Sequence, residues 1–129
     1  MGLFSWLLDR KLVDFAPGRG WTIEVVGEAQ FQENLEREYR AHAGTGHDVK
    51  AAAALIPDEE NLYDRNAVRV KVGRRQVGFL SRKMAAEYRA AVGDSSGQCK
   101  AKIVGGFALN DGTTAHFGVK PNLAWPPRF

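Results

Sequence analysis

The chain has 129 residues, of which 44% are hydrophobic and 26% are charged, and its net charge is +3. This size and composition suit one globular domain and exclude a disordered chain or two domains of ordinary size. A single cysteine, Cys99, excludes an intramolecular disulfide framework and favours a reducing compartment, so we expect a cytoplasmic location.

The N-terminal segment, residues 1–20, carries an apolar stripe that predicts a short amphipathic helix. The stripe consists of Leu3, Phe4, Trp6, Leu7, Leu8 and Leu12. The breaker Pro17-Gly18-Arg19-Gly20 ends this helix. The apolar run is too short to span a membrane and lacks the basic region and cleavage site of a signal peptide. We expect the helix to pack on the body of the protein, and docking to a membrane or a partner is the alternative.

A strand and a helix are predicted next. Residues 21–27 alternate and are rich in β-branched side chains, which is typical of a strand. Residues 29–43 place Phe31, Leu35 and Tyr39 on one helical face, with acidic residues early and basic residues late, as the helix dipole favours. Gly44 and Gly46 end the helix.

Strand signals dominate the second half of the chain. Strands are predicted over residues 47–56, 67–72, 76–80, 99–107 and 114–123, with a polar loop at 57–66 and a turn at 110–112. The strands of residues 67–72 and 76–80 form a hairpin across Gly73-Arg74. Ser81 is the predicted N-cap of a second helix that ends at Gly93. Its apolar positions are Met84, Ala85, Tyr88, Ala91 and Val92.

The order of elements is β, α, β, β, β, α, β, β, and the connections are too short for the crossovers of a parallel sheet. The C-terminal tail, residues 125–129, cannot extend a sheet because it contains two prolines. The predicted fold class is therefore mostly β with two helices. We expect a small six-stranded antiparallel barrel of OB-like or SH3-like type over residues 21–124.

Positive charge is concentrated in one quarter of the chain. From Arg65 to Arg89 there are eight Lys or Arg and one acid, a local net charge of +7, whereas the rest of the chain carries −4. This clustering favours a polyanionic partner. Arg82 and Lys83 oppose the helix dipole in the first turn of the second helix, which suggests an anion or a partner there. The predicted phosphate contacts are Arg69, Lys71, Arg74 and Arg75.

The loop before the hairpin contains an aromatic residue among turn formers. Tyr63 lies between Asn61 and Asp64, and an exposed ring at this point could stack on a base. Asp64 could accept a hydrogen bond from a sugar hydroxyl at a strand end. The alternative is that Asp64 and Asn66 cap the turn before the next strand.

The sequence offers little for catalysis. It has no GxxxxGK[ST] phosphate loop, and its histidines and cysteine lack the paired spacing of a zinc site, so neither a metal nor a cofactor is expected. Turn and surface roles are favoured for a group of acids in the polar loop, Asp58, Glu59, Glu60 and Asp64. A metal-dependent nucleic-acid hydrolase built on these acids remains an alternative. The other alternative is a protein-interaction barrel that uses the N-terminal segment.

Four blocks of the chain resemble the HIRAN domain family, which occurs in helicase-like DNA repair remodellers and as short stand-alone bacterial proteins. The blocks are VVGEAQFQ (25–32), NLYDRNAVRV (61–70), VGFLSRKMAAEY (77–88) and IVGGF (103–107). Together they cover about residues 22–123 in the family's order and spacing. The resemblance implies an OB-type barrel that binds single-stranded DNA at a free 3′-OH end in DNA repair or processing. It also implies a binding module rather than an enzyme, working with a separate helicase or nuclease.

The resemblance assigns the terminal-nucleotide pocket by position. Asn61, Tyr63 and Asp64 would line this pocket, and Asp64 would receive the 3′-OH. Leu62 stands where the family usually has proline.

Further contacts follow from the same resemblance. Gln30 and Phe31 stand where the family often has aromatic residues after its first strand. Phe79 and Arg82 would flank the DNA backbone, and Phe107 would offer a second stacking face.

Overall fold

The computed structural model describes residues 12–42 and 48–129. A 3₁₀ turn (Glu28–Phe31) precedes the first of two α-helices, α1 (Gln32–Ala41) and α2 (Arg82–Val92). The strands are β1 (Val25–Val26), β2 (Val49–Pro57), β3 (Val68–Val72), β4 (Arg75–Leu80), β5 (Gly97–Val104) and β6 (Gly118–Asn122).

All six strands of the described residues belong to one antiparallel sheet in the order β1-β4-β3-β2-β5-β6. The two edge strands lie next to each other, so the sheet is a nearly closed barrel. Glu28, just after β1, accepts a hydrogen bond from the amide nitrogen of Val119 in β6 at 2.6 Å and links these edges. The predicted fold class, a small antiparallel barrel with two helices, is confirmed.

Alternation along the strands separates the inside of the barrel from its outside. Val68, Val70 and Val72 of β3 are buried, whereas Arg69 and Lys71 between them lie on the outer face. The apolar stripe of α2 contributes to the core, as predicted. Ala85 and Tyr88 are buried, and Met84 and Val92 pack against the core. Ala91, which was also predicted to belong to the stripe, is exposed. From α1, Leu35 is fully buried, and Tyr39 packs against the core beside it.

The local turn chemistry of the central region was predicted correctly. The hairpin of β3 and β4 turns at Gly73-Arg74, and a bulge after Val70 places Val77 in the core. The hydroxyl of Ser81 accepts a hydrogen bond from the amide nitrogen of Met84 at 3.3 Å and caps α2, which ends at Gly93.

Three predicted strands differ in extent from those observed. The strand predicted over residues 21–27 pairs only at Val25 and Val26, because only these two residues lie opposite β4. The strand predicted over 99–107 runs from Gly97 to Val104 and ends where Gly105 takes a positive φ of 95°. A Cβ at that glycine would lie 2.0 Å from the carbonyl oxygen of His116.

The strand predicted over 114–123 is correspondingly shorter. Residues 107–115 form a small hairpin of their own, joined by the bridge between Ala108 and Thr114 and turning at the predicted residues 110–112. The chain therefore joins the barrel again only at Gly118. The prediction for residues 47–56 is met by β2, although His47 lies outside the described residues.

Residues 15 and 16, near the start of the described chain, pack on the C-terminal residues. Phe15 is buried against Tyr88, with ring centroids 5.8 Å apart, and Phe129 stacks on Phe15 at 4.7 Å. The amide nitrogen of Ala16 donates to the carbonyl oxygen of Arg128 at 2.8 Å. Residues 1–11 of the predicted N-terminal amphipathic helix lie outside the described residues. Residues 12–16 are not helical, contrary to the prediction, because they lie along β5 through the bridge between Asp14 and Gln98. In the described ranges, no helix has the length and apolar character needed to cross a membrane.

Candidate functional site

The loop between β2 and β3, residues 58–67, is fixed by its own side chains and is called the β2–β3 loop below. The side-chain oxygen of Asn61 accepts hydrogen bonds from the amide nitrogens of Tyr63 and Asp64, each at 2.9 Å. Asp64 Oδ1 accepts one from the amide nitrogen of Asn66, also at 2.9 Å. These are Asx turns, in which a short polar side chain replaces a backbone acceptor. The loop conformation is therefore set by the positions of Asn61 and Asp64.

Two large side chains lie at the tip of this loop and point into solvent. Leu62 is 94% exposed and Tyr63 is 90% exposed. Single exposed apolar residues are common, but two adjacent ones on a loop held by hydrogen bonds form a contact surface that needs little ordering on binding. The tip is thus available to a ligand in the conformation that the structure shows.

Two arginines of α2 attach the β2–β3 loop to the barrel. Arg82 Nη2 donates to the carbonyl oxygen of Tyr63 at 3.3 Å. Arg89 has a side chain only 12% exposed, and it donates to the carbonyl oxygens of Asn66 at 3.4 Å and Ala67 at 3.2 Å. These bonds join the loop to both ends of α2.

Arg89 is a residue of the site that sequence reasoning missed, because it counted only as one more positive charge. Its Nη1 also forms ion pairs with Glu59 at 3.0 Å and Asp94 at 2.7 Å. Its place in the last turn of a helix is what the helix dipole favours and gives no sign of a loop contact.

An ion pair with a buried carboxylate connects the start of the loop to the outer face of β3. Asp58 is buried, and its Oδ1 accepts a hydrogen bond from Arg69 Nη2 at 2.9 Å. This hydrogen bond is the main reason why the pKa of Asp58 lies below its ordinary value. Burial acts in the opposite direction and would raise the pKa. Arg69 in turn lies directly across the hairpin from Phe79.

Phe79 and Phe31 continue this surface towards β1. Their ring centroids are 6.3 Å apart, and Gln30 beside Phe31 is exposed. The approach requires the turn at Gly27, which has φ 77° and whose carbonyl oxygen accepts from the amide nitrogen of Gln30 at 3.1 Å. The structure therefore brings Gln30, Phe31 and Phe79 together beside Arg69 and the β2–β3 loop.

Phe107 lies apart from this group. It belongs to the hairpin of residues 107–115, where its carbonyl oxygen accepts from the amide nitrogen of Ala115 at 2.9 Å. The side chain of Gln32 holds the end of this segment to α1 through both the amide nitrogen and the carbonyl oxygen of Phe117, each at 2.8 Å. In the described parts of the chain, no ring contact or hydrogen bond joins Phe107 to Tyr63 or Phe79.

The four basic residues of the hairpin do not share one environment. Arg69 and Lys71 lie on the outer face of β3. The pKa of the Lys71 ammonium is lowered, mainly by partial burial and secondly by the positive charge of Arg69. Arg74 is exposed in the turn. Arg75 points to α1 and forms an ion pair with Glu38, whose side chain is 7% exposed, at 2.8 Å. Arg69 and Arg75 therefore already contact a carboxylate.

Three acids of the β2–β3 loop are held by cations or amides. Asp58 pairs with Arg69, Glu59 pairs with Arg89, and Asp64 accepts from the loop backbone. Over residues 12–42 and 48–129, no group of three or more His, Cys, Asp or Glu is arranged to hold a metal ion.

Comparison with protein-family models gave no match, and comparisons with curated proteins and with solved structures gave none either.

Proposed function

We propose that this chain is a binding module of the HIRAN type that holds single-stranded DNA at a free 3′-OH end. The observation that carries the proposal is the state of Tyr63, which is 90% exposed on a loop fixed by Asn61 and Arg82. A base that stacks on this ring gains about 1 to 3 kcal/mol. Little of this gain is lost to ordering, because the loop is held before DNA arrives.

Asp64 supplies the selectivity for the end of the strand in this proposal. An ionised carboxylate only accepts hydrogen bonds, and the loop backbone occupies Oδ1. Oδ2 can therefore accept from a terminal 3′-OH. A 3′-phosphate in the same place would offer charge of the same sign and would be repelled.

The DNA backbone would follow the basic residues that flank the loop. Arg82 and Lys83 lie in the first turn of α2, where the helix dipole also attracts an anion. Arg69 and Lys71 lie on the outer face of β3, beside Phe79 and Phe31, which are the next aromatic rings along the surface. Rings interleaved with cations are the usual composition of a surface that binds single strands.

A second candidate function is protein interaction, and the exposed pair Leu62 and Tyr63 favours it. Tyrosine is enriched at the centres of protein interfaces, and an aliphatic neighbour would add apolar area. The two functions differ in what each side chain contributes. DNA needs the flat ring of Tyr63 far more than it needs Leu62, whereas a protein groove would use both.

The test is fluorescence anisotropy with a labelled single strand that ends in 3′-OH, using wild type, Tyr63→Ala and the matched neighbour Leu62→Ala. We expect Tyr63→Ala to lose about 1 to 3 kcal/mol of binding and Leu62→Ala to lose much less. Wild-type affinity in Tyr63→Ala, with the protein folded, would refute the proposal.

The same protein incubated with the strand and Mg²⁺ or Mn²⁺ tests the hydrolase alternative. We propose binding without cleavage, in a repair or processing reaction whose catalytic step belongs to a separate helicase or nuclease. Cleavage that disappears in Asp64→Asn would assign the hydrolytic activity to this chain instead.

A further inference from the structure

The outer face of the other half of the barrel carries a row of lysines. Lys50 in β2 lies directly across from Lys102 in β5, and Lys102 lies directly across from Lys120 in β6. These three residues are called the lysine row below. Lys100, two positions before Lys102 on the same strand, extends the positive surface.

The row is unfavourable for the fold itself. Neighbouring strands are about 4.8 Å apart, and like charges directly opposite each other in a sheet destabilise it. In the described residues this repulsion is partly offset by the ion pair between Lys102 Nζ and Asp48 at 3.4 Å and by the carboxylate of Glu28 near Lys120. Lys50 and Lys120 are exposed. An arrangement that opposes folding in this way is expected where an external anion compensates it.

An aromatic side chain lies beside the row. The ammonium group of Lys102 is 4.8 Å from the centre of the Trp21 ring, and Trp21 is 38% exposed. This cation–π contact orients Lys102 and leaves part of the indole open to solvent. Cations next to a partly exposed indole suit the phosphates and bases of a nucleic acid better than they suit a small anion.

The lysine row is centred on Lys102 in β5, whereas Phe79 of the proposed end site lies on β4. In the nearly closed barrel, β4 and β5 are three strands apart in either direction round the sheet. Their outer faces therefore point to opposite sides of the molecule.

We infer that the lysine row is a DNA-binding surface in its own right, which contacts phosphodiester groups of a strand or duplex without using an end. This inference goes beyond the proposed function and does not depend on it. Together with the proposed end site, the row would let the barrel hold two DNA segments, or two parts of one strand, on different faces. We do not expect this surface to distinguish DNA sequences, because its lysines would contact phosphates rather than base edges.

The test uses DNA that has no 3′ end, so that the site of Tyr63 cannot contribute an end contact. Binding of a circular single strand and of a closed circular duplex is measured against salt concentration for wild type and for Lys50→Gln/Lys120→Gln. Lys102 is left unchanged because it also contacts Asp48 and Trp21. The matched control is Arg37→Gln/Arg40→Gln, which removes the same charge from two exposed residues of α1.

We expect the slope of log K against log salt to become shallower by about 1.4 on the single strand, or about 1.8 on the duplex, for two lost contacts. The control should keep the wild-type slope, and Lys50→Arg/Lys120→Arg should restore it. An unchanged slope in the lysine variant, an equal change in the control, or no binding of wild type to either circle would overturn the inference. Binding of a short 3′-OH strand in parallel reports separately on the proposed end site.

Discussion

The guanidinium group of Arg82 donates a hydrogen bond to the carbonyl oxygen of Tyr63 at 3.3 Å, although the two residues are 19 positions apart in sequence. The first turn of α2 therefore holds the backbone of the residue that presents its ring to solvent. A cation suited to a phosphate and an aromatic ring suited to a base are thus kept next to each other. This link makes the β2–β3 loop and α2 one surface rather than two.

Replacing Asn61 tests whether the loop must be held for DNA to bind. Asn61→Ala removes the acceptor of two amide hydrogen bonds, so the free energy of unfolding should fall by about 1 kcal/mol and DNA affinity should fall with it. Asn61→Asp keeps an oxygen in the same place and should restore stability, as urea denaturation would measure. Equal stability of Asn61→Ala and wild type would show that the two Asx bonds do not hold the loop.

Substitutions of the basic residues in the β3–β4 hairpin should have two different effects, one on DNA binding and one on stability. Lys71→Ala should make the salt dependence of single-strand binding shallower by about 0.7, because one phosphate contact is lost. Arg75→Ala should instead lower stability by about 1 to 3 kcal/mol, since it leaves the buried carboxylate of Glu38 without its cation. An unchanged salt slope in a quadruple variant that also lacks Arg69 and Arg74 would mean that these four residues contact no phosphate.

Acid should weaken the protein through Asp58. The hydrogen bond from Arg69 holds the folded pKa of Asp58 below the ordinary value of 3.8, so folding favours the charged carboxylate. This contribution is fully present above pH 3.8 and is lost as the pH falls through the lowered folded value. In urea titrations at several pH values, Asp58→Asn should therefore be less stable than wild type at pH 7, and the difference should shrink below pH 3.8. A constant difference across this range would contradict the assignment.

Tyr88 provides a structural variant that should leave binding intact. Its buried hydroxyl lies 2.6 Å from the carbonyl oxygen of Ser95, to which it donates. Tyr88→Phe should cost about 1 to 2 kcal/mol of stability because that acceptor loses its donor. The matched change at the loop tip, Tyr63→Phe, should cost almost nothing and should keep the stacking ring. If Tyr88→Phe folds but no longer binds DNA, the buried hydroxyl of Tyr88 would be needed for the binding site, which contradicts a site formed by the exposed β2–β3 loop.

Local chemistry made most of the fold predictable. The hairpin at Gly73-Arg74, the cap at Ser81 and the end of α2 at Gly93 depend on residues close in sequence, and all three were predicted correctly. Strand lengths depend on partners that are distant in sequence. Thus β1 is limited to two residues by β4, and β6 begins only where the hairpin of residues 107–115 returns to the barrel.

The arrangement of charged residues in space could not be predicted from the sequence. The stretch from Arg65 to Arg89 has a net charge of +7 when its own residues are counted. In space, acids from outside this stretch pair with several of its arginines. Asp58 pairs with Arg69, Glu38 with Arg75, and Glu59 and Asp94 with Arg89. The lysine row was missed for the same reason, because only strand register aligns Lys50, Lys102 and Lys120.

The most direct test of end recognition compares two otherwise identical single strands, one ending in 3′-OH and the other in 3′-phosphate. We predict that wild type prefers the 3′-OH strand by about tenfold or more, since a hydrogen bond to a charged group is worth about 1.5 to 3 kcal/mol. Asp64→Asn should reduce this preference with little change in melting temperature, because the amide oxygen can still accept from Asn66. Equal affinity of wild type for the two strands would contradict end recognition at the β2–β3 loop.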